Sequence, residues 1–154
     1  MPIAVRIALA VIVGIIVGSI VNMAFVQAGP LVIPLPEDAD VSTPEGLRES
    51  MALFTPANFL FPFLGHAVGT LAGAFVAAKL SPRHRMRVAM GLGVFFLVGG
   101  IAAVLMFGGP LWFQATDLIA AYLPVAWLGG RFAGRGRAGA VDAGAGPNSA
   151  AGRA

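Results

Sequence analysis

Few polar side chains interrupt the long apolar runs of this sequence, and these side chains are the groups that could do chemistry there. They are Ser19, Asn22, His66, Thr70, Gln114, Thr116, Asp117 and Tyr122. His66 and Asp117 are the most informative, because an imidazole and a carboxylate can pair, exchange a proton or bind a polar solute. The sequence has no cysteine, which excludes thiolate metal sites and cysteine nucleophiles.

The composition predicts that these groups lie inside a membrane. Of the 154 residues, 58% are hydrophobic and only 11% are charged, whereas soluble domains carry about 25% charged residues. A chain so poor in charge cannot cover its surface with water-facing groups. We therefore expect an all-α integral membrane protein, a bundle of four transmembrane helices, because helices satisfy their own backbone hydrogen bonds in lipid.

Four apolar runs define the expected helices. The predicted spans are 3–27, 57–79, 87–107 and 111–128, which together form a membrane domain over 1–128. The first run would reach about 37 Å, and a hydrocarbon core is about 30 Å thick. Thr55-Pro56 and Ser81-Pro82 are typical helix starts, and Pro62 predicts a kink or a later start of the second helix.

The positions of Lys and Arg predict the orientation. Eight basic residues fall on one side of a four-span arrangement, and only Arg48 falls on the other. The eight are Arg6, Lys79, Arg83, Arg85, Arg87, Arg131, Arg135 and Arg137. Because cytoplasmic loops are enriched in Lys and Arg, we expect both termini in the cytoplasm. The composition, rich in Ala, Gly and Arg, indicates a bacterial source and hence the inner membrane.

The first span has an alternative interpretation as a cleaved signal peptide. Val26-Gln27-Ala28 has small residues where a signal peptidase accepts them. The apolar run is longer than the roughly 7 to 15 residues of a signal-peptide core, which favours a retained span.

The segment 28–56 is expected to be an outer loop with a net charge of −4. Such clusters of carboxylates are usually solubilising, and binding of a cation or a partner is the alternative. Prolines at its start indicate extended backbone; they are Pro30, Pro34 and Pro36.

A short amphipathic helix is predicted within this loop, starting at Thr43-Pro44-Glu45 and lying along the membrane surface. Its apolar side would consist of Leu47, Met51 and Phe54. After the last span, residues 129–154 are rich in Gly, Ala and Arg and are expected to form a flexible cytoplasmic tail.

Glycines recur where the helices should pack. They are Gly14 and Gly18 on the first span, Gly65, Gly69 and Gly73 on the second, and Gly99 and Gly100 on the third. In lipid, helices associate through close backbone approach, which small residues allow. We expect these stripes to join neighbouring helices of one chain. The alternative is that they mediate homo-oligomerisation or contact another membrane protein.

Three helices are expected to place polar groups in one layer of the bilayer. Measured from the outer boundary, Asn22 lies about 8 Å deep, Asp117 about 10 Å and His66 about 12 Å. Thr70 and Tyr122 lie near the same layer. Because a lone carboxylate at this depth is costly, Asp117 should be protonated, hydrated or paired with His66. The five residues are either an intramembrane polar site or hydrogen-bonding contacts that hold the helices together.

The expected function is that of a small non-enzymatic membrane protein. The polar site favours a transporter or channel component for a small solute or protons; the alternative is a structural or accessory subunit. Acid–base catalysis on a lipid or quinone is a third interpretation, although no substrate-binding signature accompanies the His/Asp pair. One His and one Asp supply too few ligands for a metal, so no metal or cofactor is expected. The expected partner is the lipid bilayer, with a membrane protein or a second copy as the alternatives and no nucleic acid.

Overall fold

A computed structural model describes the backbone of residues 1–142 and the side chains of residues 1–134. This part of the chain is all-helical, as predicted. The helices are α1 (Ile3–Val32), α2 (Pro44–Ser50), α3 (Leu60–Leu80), α4 (Arg85–Phe107), α5 (Leu111–Ala120) and α6 (Leu123–Asp142), with a 3-10 turn at Pro56–Phe59 before α3. Three of the described segments are long and apolar enough to cross a membrane: Ile3–Val32, Pro56–Leu80 and Arg85–Phe107.

Helices α1 and α3 approach so closely that their backbones touch. A Cβ atom added to Gly14 would lie 2.7 Å from the carbonyl oxygen of Gly73, and one added to Gly18 would lie 2.8 Å from that of Gly69. The reverse distances, from Gly73 and Gly69, are 2.6 Å and 2.7 Å. Only glycine fits at these four positions, so the stripes of the first two spans face each other within one chain.

Helix α3 is the centre of the bundle, because α1, α4 and α6 all pack against it. The core is built from small side chains with one large one, Leu92. Its buried residues are Ala74, Ala77, Ala78, Val88, Ala89, Leu92, Ala126 and Ala133. Alanine at these positions brings the helix axes together, and this short distance lets polar side chains on different helices meet.

Helix α1 is longer than the sequence predicted. It continues through Pro30 to Val32, so the extended backbone expected from Pro30 begins only at Ile33. The end of the helix is held by packing, because Gly29 is buried and a Cβ there would lie 2.9 Å from Cβ of Phe61. A proline in the last turn removes a single backbone hydrogen bond, which this packing offsets.

The loop between α1 and α3 is folded inward over the end of the bundle. Thr43 is the N-cap of helix α2, and its hydroxyl accepts a hydrogen bond of 3.0 Å from the Gly46 N–H. The buried Ser50 hydroxyl accepts from the Asp40 N–H at 2.8 Å and donates to its carbonyl at 3.2 Å. The predicted position of α2 along the membrane surface stays a prediction. The apolar side chains of this loop line a cavity inside the protein.

The carboxylate of Asp40 adds an acid-sensitive contact to this loop. The Ser42 hydroxyl and the Ser42 N–H both donate to Oδ1, at 2.6 Å and 2.8 Å. These hydrogen bonds, the hydroxyl's first, lower the pKa of Asp40 below its usual value. A lowered pKa means that the contact stabilises the fold at neutral pH and is lost as the pH falls through the folded-state pKa.

One helix start agrees with its prediction and one differs. The second span starts late, as one of the two predictions from Pro62 had it: the α-helix begins at Leu60 after the 3-10 turn, and Pro62 occupies its first turn, where the missing N–H has no helical partner to lose. Ser81-Pro82 does not begin α4; Ser81 ends α3, and its hydroxyl donates to the Arg83 carbonyl. Helix α4 begins instead after His84, which has a left-handed backbone with φ of 56°.

The predicted fourth span, 111–128, is not one continuous helix. It is divided into α5 and α6 by a break at Ala121 and Tyr122. Pro124 explains the break, because its ring clashes with the carbonyl of Ala120 in a continuous helix and its nitrogen cannot donate to that carbonyl. In α6, Pro124 lies in the first turn, where proline is tolerated.

Residues 129–142, which were expected to begin the tail, continue α6. Small residues explain this, because they let the helix lie against α3 and α4. A Cβ on Gly129 would lie 3.0 Å from the carbonyl of Leu71, and Ala133 is 1% exposed in the core. The rest of the predicted tail, 143–154, lies outside the described residues.

The contact between α1 and α3 predicts a position-specific effect of alanine. Gly14→Ala should destabilise the fold by about 1–3 kcal/mol, because the new methyl overlaps the Gly73 carbonyl and the Ala77 side chain. Gly99→Ala is the matched control, since a Cβ there meets nothing within 4 Å. Thermal unfolding in mild detergent measures both. Equal melting temperatures for the two variants would contradict this packing.

Candidate functional site

Three elements bring the ionisable groups of the site together. His66 lies in the second turn of α3, Asp117 lies in α5, and Tyr122 lies in the break between α5 and α6. His66 Nδ1 is 2.8 Å from Asp117 Oδ1 and 2.9 Å from Oδ2. The Tyr122 hydroxyl donates to Oδ2 at 3.0 Å. The ring of Tyr122 also stacks on the imidazole, with centroids 5.7 Å apart and an interplanar angle of 29°.

Because Asp117 and Tyr122 are buried, their polar atoms need these hydrogen bonds in place of water. Asp117 and Tyr122 are each 2% exposed, whereas the His66 side chain is 23% exposed. An ionised carboxylate only accepts hydrogen bonds, so with Asp117 ionised the facing Nδ1 carries a proton. The other ring nitrogen, Nε2, has no hydrogen-bond partner within the described residues. His66 is therefore the member of the trio that can meet a ligand.

A glycine makes room for the tyrosine. The Tyr122 hydroxyl oxygen and ring edge lie where a Cβ on Gly100 would be. The buried Gly100 of α4 thus sets the position from which the hydroxyl reaches Asp117. Gly100 was predicted as a helix-packing residue, and its contact here is with a side chain of the site.

Asn22 lies beside the trio without bonding to it. Its Oδ1 atom is buried and has no hydrogen-bond partner in the described chain. The atom lies over Gly65, where an added Cβ would be 2.7 Å away. Leaving a buried amide oxygen unpaired costs about 1–3 kcal/mol, so a donor in the adjacent space would stabilise the site. The Asn22 amide oxygen therefore makes no hydrogen bond to His66.

Two cavities meet at His66. The first, which we call the loop cavity, has a volume of about 350 Å³ and lies under the loop that contains α2. The second, the middle cavity, has a volume of about 310 Å³ and lies deeper between α1, α3 and α4. Asp117 lines the loop cavity, whereas Tyr122 lines the middle cavity. His66, Gly100 and Ala103 line both and so form the partition between them.

The other predicted polar residues divide into two groups. Asn22, Ser19 and the 2% exposed Thr70 line the middle cavity, so all five predicted site residues surround the two cavities. Gln114 and Thr116 lie outside the site, because their side chains bond to nearby backbone carbonyls. The Gln114 amide donates to Gly109 and the Thr116 hydroxyl to Trp112, both at 2.7 Å.

The α1–α3 loop contributes residues that were not predicted for the site. Leu47, Met51 and Phe54 line the loop cavity, and the predicted helical spacing of these three was the available signal. The spacing was interpreted as a membrane-facing side because it does not distinguish lipid from a protein cavity. Metal binding has no support in the described residues, which bring no three His, Asp or Glu side chains together.

No protein-family model, curated protein or solved structure matches this chain. Its function is therefore inferred from the geometry of the site.

Removing members of the trio should have unequal effects on stability. His66→Ala leaves the buried Asp117 carboxylate without its imidazole partner and with only the Tyr122 hydrogen bond, and should cost about 3–5 kcal/mol. Tyr122→Phe removes one hydrogen bond to a charged group and should cost about 1.5–3 kcal/mol. The double variant His66→Ala/Asp117→Asn should recover much of the first loss, because no charge is then stranded. Chemical unfolding in detergent measures these values.

Thr116→Ala serves as the control, because the exposed Thr116 hydroxyl bonds only to its own helix. It should change stability by less than about 0.5 kcal/mol. A double variant as unstable as His66→Ala alone would show that the two side chains are not energetically coupled.

Proposed function

We propose that this protein of a bacterial inner membrane is non-enzymatic and is either a small transporter or a component of a transporter or channel. It moves protons, alone or with a small solute, through the site formed by His66, Asp117 and Tyr122. The observation that carries this proposal is that His66 lines two cavities, the loop cavity and the middle cavity. A carrier or channel needs access to a titratable group from both sides, and histidine changes its charge near neutral pH.

The chemistry of the pair suits proton transfer. Asp117 orients the imidazole through Nδ1, which leaves Nε2 as the ring nitrogen that is free to exchange a proton. The unpaired Oδ1 of Asn22 lies next to the middle cavity, and a water or solute donor there would satisfy it. Both features support a site that is hydrated on its deeper side.

The proposed topology has four crossings. The three long apolar helices make three of them, and α5 and α6 together make the fourth, with the break at Ala121 and Tyr122 inside the membrane. Both termini then lie in the cytoplasm with the eight basic residues, and the loop containing α2 lies outside. This arrangement puts the loop cavity at the periplasmic end.

Reporter fusions test this topology. Alkaline phosphatase inserted between Glu37 and Asp38 should be active, and a fusion after residue 154 should be inactive, because only the periplasm allows its disulfides to form. A green fluorescent protein at the same carboxyl end should fluoresce. An active phosphatase after residue 154 would place the carboxyl end outside and rule out four crossings with a cytoplasmic amino end.

Proton flux tests the function. Liposomes containing the purified full chain and a pH-sensitive dye are given a potassium diffusion potential with valinomycin. We expect flux above that of protein-free liposomes, and a reduction of at least about tenfold in His66→Ala and Asp117→Asn. His84→Asn is the matched control, because His84 is exposed and asparagine tolerates its left-handed backbone. Flux equal to protein-free liposomes, or equal in all variants, would overturn the proposal.

The alternative role as an accessory subunit has weaker support. The glycines of α1 and α3 are occupied by each other, so their stripes offer no surface to another protein. A glycine face that is open to a partner or a second copy is the exposed face of α4 around Gly99. Affinity purification from mild detergent distinguishes the two roles, since an accessory subunit copurifies with a stoichiometric membrane partner.

A further inference from the structure

We propose that the loop cavity binds an apolar molecule with a single head group that donates a hydrogen bond, such as an alcohol or a protonated amine. The head group lies against Nε2 of His66, and the apolar part lies under the loop. This inference rests on the proposed function in one respect, since it names the class of solute that would reach the same site.

The walls of the loop cavity are almost entirely apolar. They include Ile33, Leu47, Met51, Phe54 and Phe107, from α1's end, the loop and α4. The volume of about 350 Å³ falls within the range of about 300–1,000 Å³ that is usual for small-molecule sites. An apolar wall of this extent favours a hydrocarbon or aromatic body over a sugar, a nucleotide or a hydrated ion.

The buried end of the cavity is the place where protein side chains, shielded from solvent, can receive a polar head group. The described polar side chains that line it are Gln27, Asn58, His66 and Asp117. Asn58 is already used, because it donates to the Pro34 carbonyl at 3.1 Å and accepts from Thr55. Gln27 lies on the exposed side of α1. The head group therefore belongs at the buried end, beside His66 and Asp117.

The hydrogen bonds of the pair select the head group. Both oxygens of Asp117 already accept bonds from His66 or Tyr122 and the residue is 2% exposed, so Nε2 of the more exposed His66 is the accessible atom. With a proton on Nδ1, the neutral imidazole offers Nε2 as an acceptor, which requires a donor on the ligand. No Lys or Arg of the described chain lines the cavity. An anionic head group would therefore lie beside a carboxylate with no counter-charge.

Three eight-carbon probes test this selectivity: octan-1-ol, octylamine and octanoate. Binding is followed in nanodiscs by the emission of Trp112, whose ring packs edge-on against the cavity residues Phe59 and Phe113. The measurements use the Trp127→Phe background, which removes the second tryptophan. We expect saturable binding of the alcohol and the amine, and binding of octanoate at least about tenfold weaker.

A variant that fills the cavity keeps the test independent of the stability of the pair. Val104→Phe adds volume at the wall and should weaken binding of the alcohol and the amine by at least about tenfold. Val98→Phe is the matched control on the exposed face of the same helix and should bind like the background protein. His66→Ala, where it folds, should bring the three affinities close together.

Two results would overturn the inference: octanoate binding as tightly as octylamine, or binding unchanged by Val104→Phe. Failure here is distinguishable from failure of the proposed function. Proton flux that depends on His66, without selective amphiphile binding, would contradict only the solute class. Selective binding without proton flux would support the binding site but contradict the proposed transport.

Discussion

The structure depends on a carboxylate that is buried in an apolar bundle. Asp117 is 2% exposed, and an ionised group in such surroundings is tolerated only with partners that offset its lost hydration. Those partners come from outside α5, since His66 belongs to α3 and Tyr122 to the break before α6. One side chain thus requires α3, α5 and α6 to meet within hydrogen-bonding distance. The small residues of the core make that meeting possible.

Glycine has two different structural roles in this protein. At Gly14, Gly18, Gly69 and Gly73 it lets the backbones of α1 and α3 touch, which is how helices associate where lipid removes the hydrophobic driving force. At Gly65 and Gly100 it leaves room for a polar atom, the Asn22 amide oxygen and the Tyr122 hydroxyl. The same residue type therefore sets both the spacing of the helices and the positions of the site's side chains.

The sequence allowed the helical class, three long apolar helices and the contact of His66 with Asp117 to be predicted. The depth of each polar residue along its span was enough to predict this contact, because the spans contain few other polar side chains. Other features needed three-dimensional information. Pro124 was a sequence signal for the break that the continuous apolar run obscured, and Ala133 shows that a Gly/Ala-rich helix can be buried when a matching surface exists. The inward-facing loop was unpredictable, since an apolar side does not specify which apolar surroundings it meets.

The break at Ala121 and Tyr122 couples geometry to electrostatics. Tyr122 is part of neither helix, so the hydroxyl that donates to Asp117 lies at the break between α5 and α6. The hydrogen bond from Tyr122 to Oδ2 ties this break to the carboxylate of α5. The angle at which α5 meets α6 and the hydrogen bonding of Asp117 therefore depend on each other.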